Sequence, residues 1–297
     1  MKQRTAPEPL LWHFFDAATS TFTHIVACPR TRRAAIIDPV QDYEPKSARF
    51  SALSADQLRA VFRDEKLTLE WILETHAHAD HVSAAPLLQK ALGGKIGIGE
   101  GIRDVQKTFA RVFDLPPEFA KDGSQFDHLW HGGEQFKLGE LQCEVLATPG
   151  HTPDSLTYLV GRHAFIGDTL FPPNYGTARC DFPGGDAAQL YGSIQALHLL
   201  ADDTLLHFCH DYPAEGSEPI EHVTVAVSRT TNIHCRANTT REQFVELRQT
   251  RDRKLAAPQL IIPAVQLNIA AGRLPPAADN GIVYLKIPLE VIGRPPT

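Results

Sequence analysis

The chain has 297 residues, of which 43% are hydrophobic and 22% are charged, and its formal net charge at pH 7 is −6. The length is sufficient for one large domain or two smaller ones, and the composition is that of a globular protein. The negative charge argues against non-specific nucleic-acid binding, which needs a cationic surface, and no apolar run approaches the roughly 20 residues that cross a membrane.

Short β-type runs alternate with helical patterns along the chain, and this alternation predicts an α/β fold. In chain order the patterns predict strands at residues 23–28 and 34–38, a helix at 54–65 with Ser54 as its cap, a strand at 69–74, a helix at 82–92, strands at 96–98, 141–147, 155–160 and 163–166, a helix at 186–200, a strand at 204–209 and a helix at 241–255. The last helix lies in a Pro-rich segment, from about residue 221, that also contains apolar patches. Because a disordered tail would not carry so many apolar residues, we expect this segment to pack on the rest of the protein.

The N-terminal residues and the cysteines indicate the cellular compartment. Residues 1–22 lack the basic-then-apolar pattern of a signal peptide, so we expect a soluble, cytoplasmic protein. The chain has an odd number of dispersed cysteines without a C-x-x-C pair, which favours reduced thiols over a disulfide framework. These cysteines are Cys28, Cys143, Cys180, Cys209 and Cys235.

The strongest motif is an H-x-H-x-D-H cluster that follows the predicted strand at residues 69–74. His76, His78, Asp80 and His81 lie within six residues, a spacing that suits a loop at the end of a strand better than one face of a helix. Imidazole and carboxylate are ligands that zinc and iron(II) prefer in proteins. The sequence therefore predicts a metal site in this loop.

Three later residues also follow apolar strands. His151 lies in a Thr-Pro-Gly-His-Thr turn, Asp168 follows a glycine after the strand at 163–166, and His210 opens a His-Asp-Tyr sequence. Functional side chains of α/β folds collect at such junctions between strand and loop. We expect these three residues to join the first cluster.

This ordered set of motifs resembles the metallo-β-lactamase superfamily. The resemblance implies an αββα sandwich with the metal at one edge of its two sheets, and it covers a core of about residues 10–215. With the segment 221–297 packed on this core, residues 1–297 are predicted to form a single domain. The motifs specify the superfamily much better than the reaction, since hydrolases, nucleases and oxygenases share these ligands.

One reading of the resemblance is a two-metal hydrolase, such as a glyoxalase II-like thioester hydrolase with two zinc ions. A metal-bound hydroxide would then attack the substrate carbonyl. All ligand positions of such a site are filled here: His76, His78 and His151 for one ion, Asp80, His81 and His210 for the other, and Asp168 as the bridge.

Other residues favour a different reaction. The motif formed by Arg179, one intervening residue, Asp181 and Phe182 resembles that of the persulfide dioxygenases of the ETHE1-like group. Three later segments, at 232–234, 266–272 and 284–288, resemble the bacterial beta-lactamase-like hydrolase branch of that group. This second resemblance extends over nearly the whole chain. It implies one Fe(II) per chain, bound by a facial set of two histidines and one carboxylate, which leaves adjacent positions for a persulfide sulfur and O₂. The ligands would be His76, His151 and Asp168, while His78, Asp80, His81 and His210 would orient them and shape the pocket.

The implied substrates are glutathione persulfide and O₂, and the implied products are sulfite and glutathione. Arg179 is the predicted anchor for a glutathione carboxylate, because its planar guanidinium suits bidentate recognition; a structural ion pair with Asp181 is the alternative. Tyr212 is predicted to hydrogen-bond the iron-bound substrate or a cysteine sulfur, with an aromatic side chain of the pocket rim as the alternative, and Tyr175 and Arg229 are weaker candidates for the substrate wall. Cys180 could be a reactive thiol, although a buried, inert side chain is the expected state. A homodimer is a further expectation.

Overall fold

The computed structural model describes residues 7–292. Its strands, in chain order, are β1 (Leu10–Asp16), β2 (Thr21–Ala27), β3 (Arg33–Ile37), β4 (Val40–Gln41), β5 (Tyr43–Glu44), β6 (Arg49–Phe50), β7 (Thr68–Leu73), β8 (Val82–Ser83), β9 (Lys95–Gly99), β10 (His128–Trp130), β11 (Gln135–Leu138), β12 (Leu141–Ala147), β13 (Leu156–Val160), β14 (His163–Phe165), β15 (Leu205–His207) and β16 (His222–Thr224). Its helices are α1 (Leu53–Asp64), α2 (Ala85–Leu92), α3 (Ile102–Val112), α4 (Ala187–His198), α5 (Val225–Thr231), α6 (Arg241–Asp252) and α7 (Ile261–Asn268).

Two sheets of six strands carry the fold. The first has the order β1-β2-β3-β7-β9-β10, with antiparallel pairs at the β1 edge and parallel pairs from β3 onward. The second has the order β11-β12-β13-β14-β15-β16 and is antiparallel except for the pair β14–β15. The strands of the first sheet lie within residues 10–130, and those of the second sheet lie within residues 135–224.

Alternate side chains of a strand face different layers, because the side chains of a strand point to opposite faces of its sheet. In β3, Ile36 is buried in a cluster that includes α1, α2 and α3, whereas Ile37 is buried with Tyr158 of β13 between the two sheets. In β15, Leu206 is buried in a cluster with Leu190 of α4. The layers therefore follow the order helix, sheet, sheet, helix, and the predicted α/β class and αββα arrangement are confirmed.

The C-terminal helices α6 and α7 pack against different parts of the two-sheet core. Arg248 of α6 donates to the carbonyl oxygen of Thr177 at 2.9 Å and pairs with Asp252. In α7, Ile261 and Val265 are buried in the same cluster as the helices of the first sheet. None of the helices in residues 7–292 is both long enough and apolar enough to cross a membrane.

Two local predictions need correction. The helix predicted at 82–92 begins only at Ala85, because residues 82 and 83 pair with β4 as the short strand β8. Ser54 does not cap α1: it lies in the first turn, where its amide and hydroxyl donate to Asp42 at 3.0 and 2.7 Å. The carboxylate of Asp42 therefore satisfies a free N–H group at this helix end.

Candidate metal centre

The first group of candidate ligands is formed by His76, His151 and Asp168. His76 follows β7, His151 follows β12 and Asp168 follows β14. All three side chains are buried, and one donor atom of each lies within 4.8 Å of the others. His151 Nε2 is 3.6 Å from Asp168 Oδ2. The structure thus brings together three residues that span 92 positions of the sequence, from His76 to Asp168.

Two glycines permit this close approach. Gly150 precedes His151 with φ of 135°, and a Cβ atom there would lie 2.2 Å from the backbone nitrogen of Leu190 at the start of α4. Gly167 precedes Asp168 with φ of 51°, and its Cβ would lie 2.6 Å from Thr75 Oγ1. Because both backbones are left-handed and crowded, any other residue would be strained at these positions.

The histidines of this group are each held by one ring nitrogen. His151 Nδ1 donates to the carbonyl oxygen of Arg179 at 2.8 Å, and His76 Nδ1 lies 3.1 Å from Thr75 Oγ1. The Nε2 atom of His76 and the Oδ1 atom of Asp168 are buried and have no hydrogen-bond partner among the described residues. Buried polar atoms are normally satisfied, so this donor set fits a bound metal ion.

The second group consists of His78, Asp80, His81 and His210, whose donor atoms also lie within 4.8 Å of one another. Asp80 Oδ2 is at its centre, 3.2 Å from His81 Nδ1 and 3.1 Å from His210 Nε2. Asp168 lies between the groups, with its Oδ1 atom 3.5 Å from His210 Nε2. The arrangement therefore permits a second ion, with Asp168 as a bridge.

Asp38, at the end of β3, organises the metal loop, although we did not predict this role. Its carboxylate accepts hydrogen bonds from the amide and hydroxyl of Thr75 at 2.7 and 2.9 Å and from His78 Nε2 at 2.9 Å. These contacts leave His78 Nδ1 as the atom that faces the second group. The sequence shows that Asp38 ends a predicted apolar strand, which is a common place for a functional carboxylate. It does not reveal that His78 lies beside Asp38.

Asn268 of α7 is a second missed residue. Its side-chain Nδ2 donates to the carbonyl oxygens of His78 and His81, both at 2.8 Å, and its Oδ1 accepts from the amide of Ser83 at 2.9 Å. The side chain is buried. A residue from the C-terminal segment thus fixes the backbone of the loop that follows β7.

The charges in the centre differ between the two groups. Burial and the neighbouring imidazoles hold the pKa of His76 well below its ordinary value, which keeps the ring neutral as metal binding requires. Burial alone would also lower the pKa of His210, but the carboxylates of Asp80 and Asp168 raise it to about 10. Burial raises the pKa of Asp168.

Aromatic side chains line the rim of the centre. Tyr175 and Tyr212 are stacked with their ring centroids 4.5 Å apart, and both are more than 40% exposed. The ring of Tyr212 is 5.9 Å from that of His210. These two predicted substrate residues therefore share one exposed wall beside the second group.

The two predicted arginines have other partners. Arg179 forms a bidentate pair with Asp181, with both N···O distances at 2.6 Å, and also donates to the carbonyl oxygen of Ala256 at 2.7 Å. Arg229 donates to the carbonyl oxygen of His198, at the C-terminal end of α4, and to Asp202. Both guanidinium groups are thus engaged within the chain: the ion pair of Arg179 with Asp181 is present, and the contact of Arg179 with a glutathione carboxylate stays a prediction.

The cysteines agree with the prediction of free thiols, since all five are buried and unpaired. Burial and the neighbouring Asp252 raise the pKa of the Cys180 thiol far above its ordinary value. Because the thiolate is the reactive form, this environment favours the expected buried, unreactive state of Cys180 over a reactive thiol.

Similarity to known proteins agrees with this architecture. Residues 21–210 match the family model of the metallo-beta-lactamase superfamily. The chain is 47% identical to a Burkholderia pseudomallei protein named "Probable metallo-hydrolase", over 94% of this chain and 98% of that protein. It is 29% identical to human mitochondrial persulfide dioxygenase ETHE1, over 91% of each chain. The crystal structure of ETHE1 from Myxococcus xanthus, with 30% identity and a TM-score of 0.70, covers 89% of this chain and is itself covered completely. The chain therefore belongs to the metallo-beta-lactamase superfamily, and its relatives include the ETHE1-like persulfide dioxygenases.

Proposed function

We propose that this protein is a glutathione persulfide dioxygenase that uses one Fe(II), held by His76, His151 and Asp168. The observation that carries the proposal is the convergence of these three buried donors, two imidazoles and one carboxylate, within 4.8 Å. This ligand set is typical of non-haem iron(II) oxygenases, which keep adjacent positions open. The similarity to persulfide dioxygenases over most of both chains supports the same reaction.

When bound, Fe(II) would supply adjacent coordination positions for the persulfide sulfur and O₂, so that their reaction becomes effectively intramolecular. The overall reaction is balanced: glutathione persulfide, O₂ and water yield glutathione and sulfurous acid, which ionises to sulfite. The S–S bond is broken, the outer sulfur loses four electrons and O₂ accepts them. Two neutral imidazoles and one carboxylate leave the site with a net positive charge, which favours an anionic persulfide.

The protein's own residues orient the ligands and the substrate. The carbonyl oxygen of Arg179 fixes the ring of His151, and Asp38 fixes Thr75, which contacts His76. The stacked rings of Tyr175 and Tyr212 offer an exposed surface for the peptide part of glutathione. We therefore assign substrate contact to the two tyrosines, and the Arg179 backbone is a positioning element.

A two-zinc thioester hydrolase is the second candidate. The distance of 3.5 Å between Asp168 Oδ1 and His210 Nε2 favours it, because a bridging carboxylate needs ligands on both sides. The hydrolase name of the Burkholderia pseudomallei relative points in the same direction.

Parallel assays with two substrates separate these functions. Anaerobically purified, iron-loaded protein is given glutathione persulfide in an oxygen electrode, and sulfite is measured at intervals. We expect one O₂ consumed for each sulfite formed and no thiol release from S-lactoylglutathione. Rapid hydrolysis of S-lactoylglutathione without O₂ uptake would refute the dioxygenase and support the hydrolase.

We also propose that residues 1–297 form a single domain, that the protein is cytoplasmic and that it forms a homodimer without nucleic-acid or membrane partners.

A further inference from the structure

A second cluster of histidines lies outside the metal centre. His13 of β1, His24 of β2 and His207 of β15 each place one ring nitrogen within 4.8 Å of the others. The cluster joins the β1 edge of the first sheet to the second sheet, because β1 and β2 pair with each other and β15 belongs to the other sheet. Neither the proposed reaction nor the ligand set of the metal centre uses these residues.

Hydrogen bonds define the protonation of His24. Its Nε2 lies 3.0 Å from the carbonyl oxygen of Phe208, which can only accept, so Nε2 carries the proton. Burial and the neighbouring His13 lower the pKa of His24 to about 3, so the ring is neutral and its Nδ1 has a free lone pair. His13 Nδ1 lies 2.7 Å from that atom and donates to it.

Hydrogen bonds also define the protonation of His207. His163 Nε2 lies 3.0 Å from the Glu8 carboxylate and donates to it, so the Nδ1 atom of neutral His163 is an acceptor. His207 Nε2 donates to that acceptor at 2.9 Å. Nδ1 of His207 therefore carries a free lone pair. This atom is buried and has no hydrogen-bond partner among the described residues. His207 itself is only 1% exposed.

We propose that His13, His24 and His207 form a separate binding site for a divalent transition-metal ion such as zinc, with one nitrogen from each ring as ligand. Each ring already has an acceptor behind its other nitrogen: Glu221 at 3.9 Å behind His13, Phe208 O behind His24 and His163 behind His207. Such acceptors are the usual partners of metal-binding histidines. The proton between His13 and His24 moves to His13 Nε2, which faces Glu221, when the ion binds.

The geometry requires a small adjustment. Zinc–nitrogen bonds of about 2.0–2.1 Å in a tetrahedral site place ligand nitrogens roughly 3.4 Å apart, so the 2.7 Å contact of His13 and His24 must open slightly. His13 is 14% exposed and Glu221 is 40% exposed, which provides an entry route and a nearby negative charge. Three protein ligands leave a fourth position for water.

Zinc soaking tests the site in the full-length protein. Crystals soaked in zinc chloride are measured on both sides of the zinc absorption edge, so that the ion's position is seen directly and independently of any activity. We expect an anomalous peak between the rings of His13, His24 and His207, in addition to any peak near His76. Full zinc occupancy near His76 with no peak at the second cluster would overturn the proposal.

A matched pair of variants tests the same site in solution. His13→Gln removes the partly exposed ligand, whereas His222→Gln changes a histidine whose ring is 5.1 Å from that of His207 but which is not one of the three ligands. After equilibrium dialysis against zinc, we expect His13→Gln to contain one zinc per chain less than the unmodified protein. His222→Gln should match the unmodified protein, and equal zinc content in all three proteins would refute the site.

Discussion

The two donor groups of the metal centre contain the same kinds of side chain but are held differently. In the first, the second nitrogens of His76 and His151 contact Thr75 and the backbone of Arg179, so their partners lie outside the group. In the second, the carboxylate of Asp80 lies beside both His81 and His210, while His78 Nδ1 and His81 Nε2 are buried without a hydrogen-bond partner among the described residues. Both groups therefore offer free donor atoms, but the pKa of His210 in the second group is raised to about 10 by Asp80 and Asp168, so this ring must lose a proton before it binds a metal.

The difference explains how one superfamily scaffold can support one ion or two. All ligand positions are filled, so residue identity alone permits both states. What distinguishes them is the proton of His210, which a metal at the second group must displace from the ion pair of this ring with Asp80.

Loss of Asp168 should have the largest effect, because it supplies the only carboxylate of the first group. We expect Asp168→Ala to lose iron binding and to lower turnover by more than ~100-fold, beyond the 10–100-fold that follows loss of a ligand's hydrogen-bond partner. Iron content and O₂ uptake are measured on the same sample. An Asp168→Ala protein that keeps its iron would remove this residue from the ligand set.

Loss of His81 should have a smaller effect if the second group holds no ion. We expect His81→Ala to keep one iron per chain and to lose about 10-fold in turnover, because Asp80 loses one of its two histidine contacts. His76→Ala is the matched variant in the first group and should lose the iron. If His81→Ala releases one of two ions instead, the second group is a metal site in its own right.

Asn268 connects the C-terminal segment to the second group. Asn268→Asp keeps the acceptor for the Ser83 amide but loses both donors to the carbonyl oxygens of His78 and His81. We expect turnover to fall by about 10-fold and iron affinity to fall with it, while the protein remains folded.

The control for Asn268 is Gln266→Ala in the same helix, whose amide donates to Ile262 and Lys286 and contacts neither loop carbonyl. It should retain its iron affinity. Thermal unfolding is recorded for both variants, and equal losses of iron affinity in the two would indicate only a general effect of α7.

Arg179 should affect stability more than substrate saturation. Arg179→Ala removes three donated hydrogen bonds, two of them to the carboxylate of Asp181, and we expect unfolding to become easier by about 1–3 kcal/mol. Denaturant unfolding measures the change, and the apparent KM for glutathione persulfide should stay within about twofold. A large increase in KM with unchanged stability would support Arg179 as a substrate anchor.

Much of the fold was predictable because its strands are short, apolar and separated by clear turns. The strand at 141–147 was predicted with the observed bounds, and Leu190, Ile194 and Leu197 of the helix at 186–200 are buried as expected. The edge strand β1 and the helix α3 were missed. All seven residues of β1 are only partly buried, so the strand lacks a fully buried face from which periodicity could be recognised.

The candidate ligands were predictable from spacing, but their partners were not. Imidazole and carboxylate side chains such as those of His76 and Asp168 can be recognised as metal ligands from the sequence. The amide of Asn268 cannot, because its role depends on the fold, which places it against the carbonyl oxygens of His78 and His81. Arg179 illustrates the reverse case: its side chain suggested a ligand contact, but Asp181, two residues away, takes its guanidinium. Local sequence therefore identifies potential ligands better than it identifies the residues that hold them.

Metal analysis of anaerobically purified protein tests the central claim most directly. Iron and zinc are quantified per chain, and O₂ uptake with glutathione persulfide is measured on the same preparations at several iron contents. We predict saturation at one iron per chain, with O₂ uptake proportional to iron. Two iron ions per chain, or activity that does not follow iron, would contradict a single ferrous centre at His76, His151 and Asp168.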